Sequence, residues 1–251
     1  MTTAPLLYVC VRPQQGAAAA EYESFRSAAH LDATELAQLD LVREQLPTDV
    51  FEQYSGFLIG GSPFNVTDPE STKTDVQRRL EADLERIATG AMTAPSEAGS
   101  APAFFTCYGI GVVTRLLGGV VSRAHPEDTG PVGIDLTAAG ESDPLLGTLA
   151  RRFTALTAHK EGSAVAPPGA ALLATNDACP VQAYRVGERL YATQFHPEPT
   201  TRAFTERMAV YRDDGYFPAD HYETVAARVL AASVTEPARL IRAFARAFGP
   251  A

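Results

Sequence analysis

Three short stretches carry side chains able to attack and cleave an acyl bond. Cys107 lies in FFTCYGIG, where an apolar run stops at a thiol and resumes among spaced glycines. His196 and Glu198 lie in YATQFHPE, and Gly60 and Gly61 close the run GFLIGG. A cysteine nucleophile needs a nearby base, a lowered thiol pKa, and donors aimed at the oxyanion that forms when it attacks a carbonyl. A strand-to-helix corner at Cys107 would supply the last two. The helix N-terminus favours thiolate, the Tyr108 amide points inward, and Gly109 lets the backbone turn tightly. Gly60 and Gly61, after a strand, can offer a second amide to the same oxygen. Taken alone, the stretch also reads as a buried strand that contains a small inert thiol, so the base has to decide.

There are five histidines. His30 reads as a helix-boundary residue and His221 as part of an acidic, exposed helix. Two others stand in identical tripeptides, His125-Pro126-Glu127 and His196-Pro197-Glu198. The first lies in SRAHPEDTGP, a polar stretch of turn formers between two predicted strands, which reads as a hairpin loop. The second ends an alternating strand just before the chain turns helical, a sheet-edge position where sites form. Proline stiffens the extended segment, and residues two apart in extended chain project to one side, so Glu198 can fix the imidazole tautomer. A bare His-Pro-Glu before a helix can equally be a cap; its conjunction with the cysteine corner and the glycine pair favours chemistry.

The elements that would hold these residues alternate. Leu6 to Val11 reads as a strand, 33–46 as a helix with Leu36, Leu39, Val42 and Leu46 on one face, and 56–61 as a strand. Residues 74–89 repeat Val76, Leu80, Leu84 and Ile87 at helical spacing. Residues 89–103, rich in Ala, Gly, Ser and Pro, read as a loop leading into the strand that ends at Cys107. A helix follows over about 109–117. GVVSR, PVGIDLT, FTALTAH, AALLATND, VQAYRVG and RLYATQF then read as strands, with helix largely absent. Three helices close the chain, over about 201–211, 219–232 and 236–248. An alternating first half implies a parallel sheet with helices on both faces and ligands at the strands' carboxyl edge, which brings the loops after Ile59 and Thr106 together.

The chain has 251 residues, 45% of them hydrophobic, enough to bury a sizeable core. The expectation is one domain over 1–251, with a core of about 5–200 and a helical extension of about 201–251. A net charge of −9 without a basic block argues against nucleic acid. The N-terminus shows no basic leader and its apolar run is too short for a signal or a span, so the expected location is cytoplasmic, with no membrane partner. Cys10, Cys107 and Cys179 are odd in number and lack CxxC spacing, which suggests neither disulfides nor a zinc site.

Together GFLIGGSPFNVTD, FFTCYGIG and YATQFHPE resemble the class I glutamine amidotransferases, most closely the glutaminase domain of GMP synthetase and its free-standing relatives, over about residues 5–200. The resemblance implies a flavodoxin-like α/β fold, a mostly parallel sheet with helices on both faces and an added antiparallel β segment. It would make Cys107 the nucleophile, His196 the base, Glu198 its orienter, and Gly61 and Tyr108 the oxyanion hole. Gly60, Gly111 and His159 would adjoin the donor, His159 lying in the segment LTAHKEGSAVAPPGAALLATND. Two departures stand out: the family's elbow is Gly-x-Cys-x-Gly-x-Gln, whereas Phe105 replaces the first glycine and Gly111 the glutamine that helps hold the γ-glutamyl group. The second His-Pro-Glu, at His125, matches nothing in the family pattern.

The implied reaction is hydrolysis of the glutamine γ-amide through a γ-glutamyl thioester, with no cofactor or metal required. The sequence contains no GxxxxGK[ST] loop, so a synthetase half would come from a partner chain or be absent. Alternatives are a γ-glutamyl peptidase using the same three residues, a non-catalytic binding module, and another cysteine hydrolase on a similar sheet.

Overall fold

A computed structural model describes residues 4–250; the part of the leader and domain expectations that falls on residues 1–3 and 251 lies outside the described residues. Nine strands form one sheet in the order β2-β1-β3-β4-β9-β8-β7-β5-β6. Five of them are mutually parallel: β1 (Leu6–Cys10), β2 (Leu36–Asp40), β3 (Gly56–Ile59), β4 (Ala103–Thr106) and β9 (Leu190–Thr193). The rest of the sheet is antiparallel: β5 (Glu127–Leu136), β6 (Arg152–His159), β7 (Ala170–Thr175) and β8 (Ala183–Val186). This is the mixed α/β arrangement expected from the sequence.

Strand alternation assigns the two cores. Leu6, Tyr8 and Cys10 of β1 pack with Phe25 of α1 (Gln15–Ala29) and with Leu240, Ile241 and Phe244 of α8 (Pro237–Phe248). Leu7 and Val9, on the opposite face, pack with Leu80, Leu84 and Ile87 of α3 (Asp75–Met92) and Val113 of α4 (Tyr108–Leu116). Thr74 caps α3 by accepting from the Gln77 amide. Short α2 (Val50–Gln53) and α5 (Ala138–Glu141) lie in connections, while α6 (Thr201–Val210) and α7 (Tyr222–Ala231) pack over β6 through Phe204, Met208 and Val229. Among the described residues no helix is long and apolar enough to cross a membrane.

Three expectations are corrected. The helix over 33–46 is absent: β2 occupies its centre and pairs along its whole length with β1, so parallel pairing overrides leucines that happen to fall at helical spacing. The helix of this crossover is α1, in the alanine-rich run before it. GVVSR is not a strand; it forms only an isolated bridge, Ser122 to Gly162, following the left-handed Gly118 (φ 76°). The loop before β4 also starts later than expected, because α3 runs on to Met92.

Candidate active site

Parallel pairing sets the site. Ile59 is in register with Phe105, and Thr106 with Thr193, so the residues after β3, β4 and β9 leave the sheet side by side at its carboxyl edge. Cys107 follows β4, His196 lies three residues beyond the end of β9, and the Cys107 amide donates to the Thr193 carbonyl at 2.8 Å. Gly60 and Gly61 follow β3 on the other side. A side chain built on Gly61 would come within 2.8 Å of His196 Cε1 and 3.4 Å of Cys107 Cβ, so the imidazole, the cysteine and the glycine strap surround one small space. Strand β6 closes it: the His196 amide donates to the Leu156 carbonyl at 2.8 Å, and Cys107 Sγ lies 3.9 Å from the Ala158 carbonyl.

Cys107 has φ 51° and ψ −103°, a conformation that non-glycine residues rarely take. Such strain persists where the surroundings over-determine it, as in the strand–turn–helix elbows that project a nucleophile. Gly109 is required next to it, since a Cβ there would sit 3.0 Å from the Phe105 side chain, the very residue that departs from the family pattern.

His196 Nδ1 donates to Glu198 Oε1 at 3.0 Å, which leaves Nε2 as the free base. Burial pushes the His196 pKa below its ordinary value, against the pull of Glu198, so the ring is neutral near pH 7. Burial works against ionised Glu198 too, but His196 and Arg207 outweigh it and hold the carboxylate charged. The thiol departs from expectation: burial pushes Cys107 up to about 12, and the nearby Arg12 offsets this only in part. The helix N-terminus does not make a resting thiolate here.

Sequence reasoning missed a buried charge network behind the imidazole. Arg12 Nη2 and Arg207 Nη1 donate to Glu21 Oε1 at 2.7 and 3.1 Å, Arg207 Nη1 also donates to Glu198 Oε1 at 2.8 Å, and Tyr8 donates to Glu21 Oε2 at 2.7 Å. All four charged residues are at most 5% exposed. Arg12 was detectable as a charge directly after a buried strand, at the edge where ligands bind. Arg207 was not, because its helix joins the site only through tertiary packing.

The glycine strap also differs from expectation. The Gly60 amide continues the sheet to the Val9 carbonyl, and the Gly61 amide donates to Glu21 at 3.2 Å, so neither is free for an oxyanion. The Tyr108 amide, at the first position of α4, has no partner within its helix.

Two small cavities, with about 20 and 40 Å³ of space open to a water-sized sphere, meet at Cys107 and Ser62. The first is lined by Tyr108, Gly111, His159, Glu161 and Gln194. A Cβ at Gly111 would lie 3.1 Å from the Val66 side chain and 3.5 Å from Glu161 Oε1, a close approach to one methyl and ordinary contact with the carboxylate. Glu161 is anchored by the amides of Val66 and Thr67 and by the Thr67 hydroxyl. His159 lines this cavity, with Nδ1 2.8 Å from the Glu161 carbonyl and Nε2 2.7 Å from Glu127 Oε2. The His125-Pro126-Glu127 segment thus supplies Glu127 to the site's support, while His125 is half-buried with Nδ1 3.2 Å from the Ala178 carbonyl.

Two groups bring candidate metal ligands within 4.8 Å of one another, Glu127/His159/Cys179 and Glu21/His196/Glu198. In both, the carboxylates already accept from protein donors: Asn176, Gln182 and His159 in the first, Arg12, Arg207 and His196 in the second. Those donor sets suit a hydrogen-bonded network better than a cation.

Known proteins share this architecture. GMP synthase [glutamine-hydrolyzing] of Clostridium perfringens is 34% identical over 108 residues, which cover 43% of this chain and 21% of that protein. The same enzyme of Borreliella burgdorferi strain N40 is 25% identical over 154 residues, covering 61% and 26%. The match therefore spans only about a fifth to a quarter of the length of these relatives. A glutamine amidotransferase from Thermotoga maritima superposes with a TM-score of 0.71 at 16% identity, covering 98% of this chain and 97% of that one. A glutamine amidotransferase from Methylobacillus flagellatus gives 0.69 at 16% identity over 98% and 94%. The family described as glutamine amidotransferase class-I matches residues 22–210, and the chain belongs to the class I glutamine amidotransferases.

Proposed function

We propose that the protein hydrolyses a γ-glutamyl amide, glutamine being the simplest, with Cys107 as nucleophile, His196 as base and then acid, and Glu198 as the group that orients the ring. Because the thiol is neutral at rest, attack on the γ-carbonyl and proton transfer to His196 Nε2 are concerted. The imidazolium that forms lies beside the ionised Glu198. The oxyanion is taken by the Tyr108 amide, and Gly61 contributes only if its amide turns away from Glu21. His196 returns the proton to the departing nitrogen and then activates water against the γ-glutamyl thioester. On this reading His159, Glu161, Gly60 and Gly111 border the acyl portion of the donor.

What supports the reading is the pairing of β4 with β9, which brings the cysteine corner and the His-Pro-Glu segment off neighbouring strands. Ammonia release from glutamine, with Cys107→Ser as control, tests it. The names of the relatives suggest that a separate synthetase chain receives the ammonia; stimulation of release by such a chain would support that. A second reading, cleavage of larger γ-glutamyl conjugates, is favoured by Gly111, which stands where the family pattern has its donor-holding glutamine.

A further inference from the structure

Gln194 stands between the end of β9 and His196, one step past the Thr106–Thr193 pair, so the sheet register sets it beside Cys107. Its backbone amide continues the sheet to the Gln182 carbonyl at 2.8 Å. The residue is only 4% exposed, yet its side-chain amide has no hydrogen-bond partner among the described residues. A buried amide without a partner is costly, and in a native structure it calls for a reason. Other orphaned interior atoms, Gln182 Oε1 and Thr157 Oγ1 for example, are sealed from solvent. Gln194 differs from them, because its side chain opens on the first cavity, which Cys107 and Tyr108 also line. That cavity has about 20 Å³ open to a water-sized sphere, room for about one oxygen-sized group.

An oxyanion formed at Cys107 is short of donors. Gly61, the expected backbone donor, gives its amide to Glu21 at 3.2 Å, which leaves the Tyr108 amide at the start of α4. Other polar groups of the cavity wall are engaged within the protein. Ser62 donates to the Val11 carbonyl, both His159 ring nitrogens have partners, and the Glu161 carboxylate is held by the Val66 and Thr67 amides. A carboxamide NH₂ is a suitable oxyanion donor when it is fixed in place before the reaction and shielded from water.

We propose that Gln194 is the second oxyanion donor, its Nε2 donating to the γ-carbonyl oxygen beside the Tyr108 amide. This role rests on the hydrolysis proposed above. As the Cys107 sulfur adds to the γ-carbon and the thiol proton passes to His196, one C=O electron pair moves onto oxygen, which accepts from Gln194 and Tyr108. The C=O bond then re-forms as the C–N bond breaks, and His196 returns the proton to the departing nitrogen. The same two donors serve again when water attacks the thioester, and the Gly60–Gly61 peptide need not turn.

The test sets steady-state hydrolysis of glutamine by Gln194→Ala and Gln194→Glu against alkylation of Cys107 by iodoacetamide, which displaces iodide at a saturated carbon and forms no oxyanion. In Gln194→Ala, kcat is expected to fall about a hundredfold to a thousandfold with KM changed less than about threefold, while the alkylation rate stays within about twofold. Gln194→Glu keeps the shape of the side chain but sets a carboxylate against the developing charge, so kcat should fall at least as far; a mere packing role would be rescued by it. A kcat within about threefold of the unsubstituted protein in Gln194→Ala would overturn the assignment and leave hydrolysis standing, with Gly61 as the donor. Hydrolysis and alkylation lost together would also overturn it, since Gln194 would then only support the corner at Cys107. A raised KM at constant kcat would replace it with a contact made equally in the ground state. No ammonia from the unsubstituted protein, with Cys107 unlabelled by a γ-glutamyl chloromethyl ketone, would remove the proposed reaction and this role with it.

Discussion

At Cys107 two influences compete, and burial wins. A helix N-terminus and a neighbouring arginine both favour the thiolate, yet the residue is 7% exposed and the cost of desolvating a charge pushes its pKa up to about 12. The pH profile follows from that balance. On the proposed reaction His196 must be neutral to accept the proton, and burial holds its pKa below the ordinary 6.5, so the acid limb of kcat/KM is expected below 6.5. A resting thiolate–imidazolium pair would instead make alkylation level off in the neutral range. The expected result with iodoacetamide is a rate at Cys107 that keeps climbing through pH 10, read by peptide mass mapping; a plateau near pH 7 would contradict it. Substitution separates the two His-Pro-Glu segments. His196→Ala is expected to lower kcat by several orders of magnitude, whereas His125→Ala, at a ring that lines neither cavity at Cys107, leaves it nearly unchanged.

At the level of elements, what was legible in the sequence was what local pattern controls. The strands of β1, β3, β4 and β9 and the helix α3 announce themselves by apolar runs or by 3.6-residue spacing, and with them came the rim bearing Cys107, His196 and Glu198. Residues 33–46 misled because four leucine and valine positions fit a helix, while the deciding interaction, hydrogen bonding to β1, is invisible locally. The Arg12–Glu21–Arg207–Glu198 network was hidden for the same reason: its members come from the end of β1, from α1, from α6 and from the loop before α6. The start of α6 governs that assembly. Thr200 caps it by accepting from the Ala203 amide, two residues after Glu198 and seven before Arg207 in the chain. Thr200→Ala is expected to cost about 1 kcal/mol of stability in urea unfolding. Because the cap fixes both the carboxylate and the guanidinium, kcat should drop in parallel; an unchanged kcat would mean that the network, not the cap, sets the position of Glu198. Gly61→Ala is a harsher change at β3's end. Its methyl would sit 2.8 Å from both Arg12 Nη2 and His196 Cε1, so turnover should fall at least a hundredfold while the fold, held elsewhere by the sheet, persists by circular dichroism.

Across the whole molecule, stability and site draw on the same buried charges. Glu198 and Glu127 are held below their ordinary carboxylate range by the partners that outweigh burial, and His196 lies below free imidazole because burial outweighs Glu198. For all three, the unfolded chain binds a proton more readily than the native one. Their contribution is therefore complete above about pH 6.5, declines first as His196 would charge in the unfolded chain, and declines further as pH falls through the carboxylate range near 4.5. The urea midpoint should accordingly be flat from pH 8 to 7 and fall steadily between pH 6.5 and 4.

The closing helix α8 is where the expectation of a core ending near residue 200 meets the sharpest test. Leu240, Ile241 and Phe244 are fully buried, and Phe244 packs edge-on against Phe104 of β4, the strand that leads into Cys107, with ring centroids 5.6 Å apart. At about 1.5–3 kcal/mol for each buried side chain, α8 contributes an amount comparable to the whole net stability of a typical domain, about 5–15 kcal/mol. A helix merely appended to an independent core could be removed without consequence. A chain truncated after residue 236 should instead lose its cooperative thermal transition, because the face of β1 and β4 that carries Leu6, Tyr8 and Phe104 would be left open to water. Phe244→Ala, a milder probe, is expected to cost about 3–5 kcal/mol and yet keep its activity at low temperature, since the ring touches the back of β4 and no group at the rim. A truncated chain that melted cooperatively and still hydrolysed its donor would show that α8 is an accessory to the fold and not part of it.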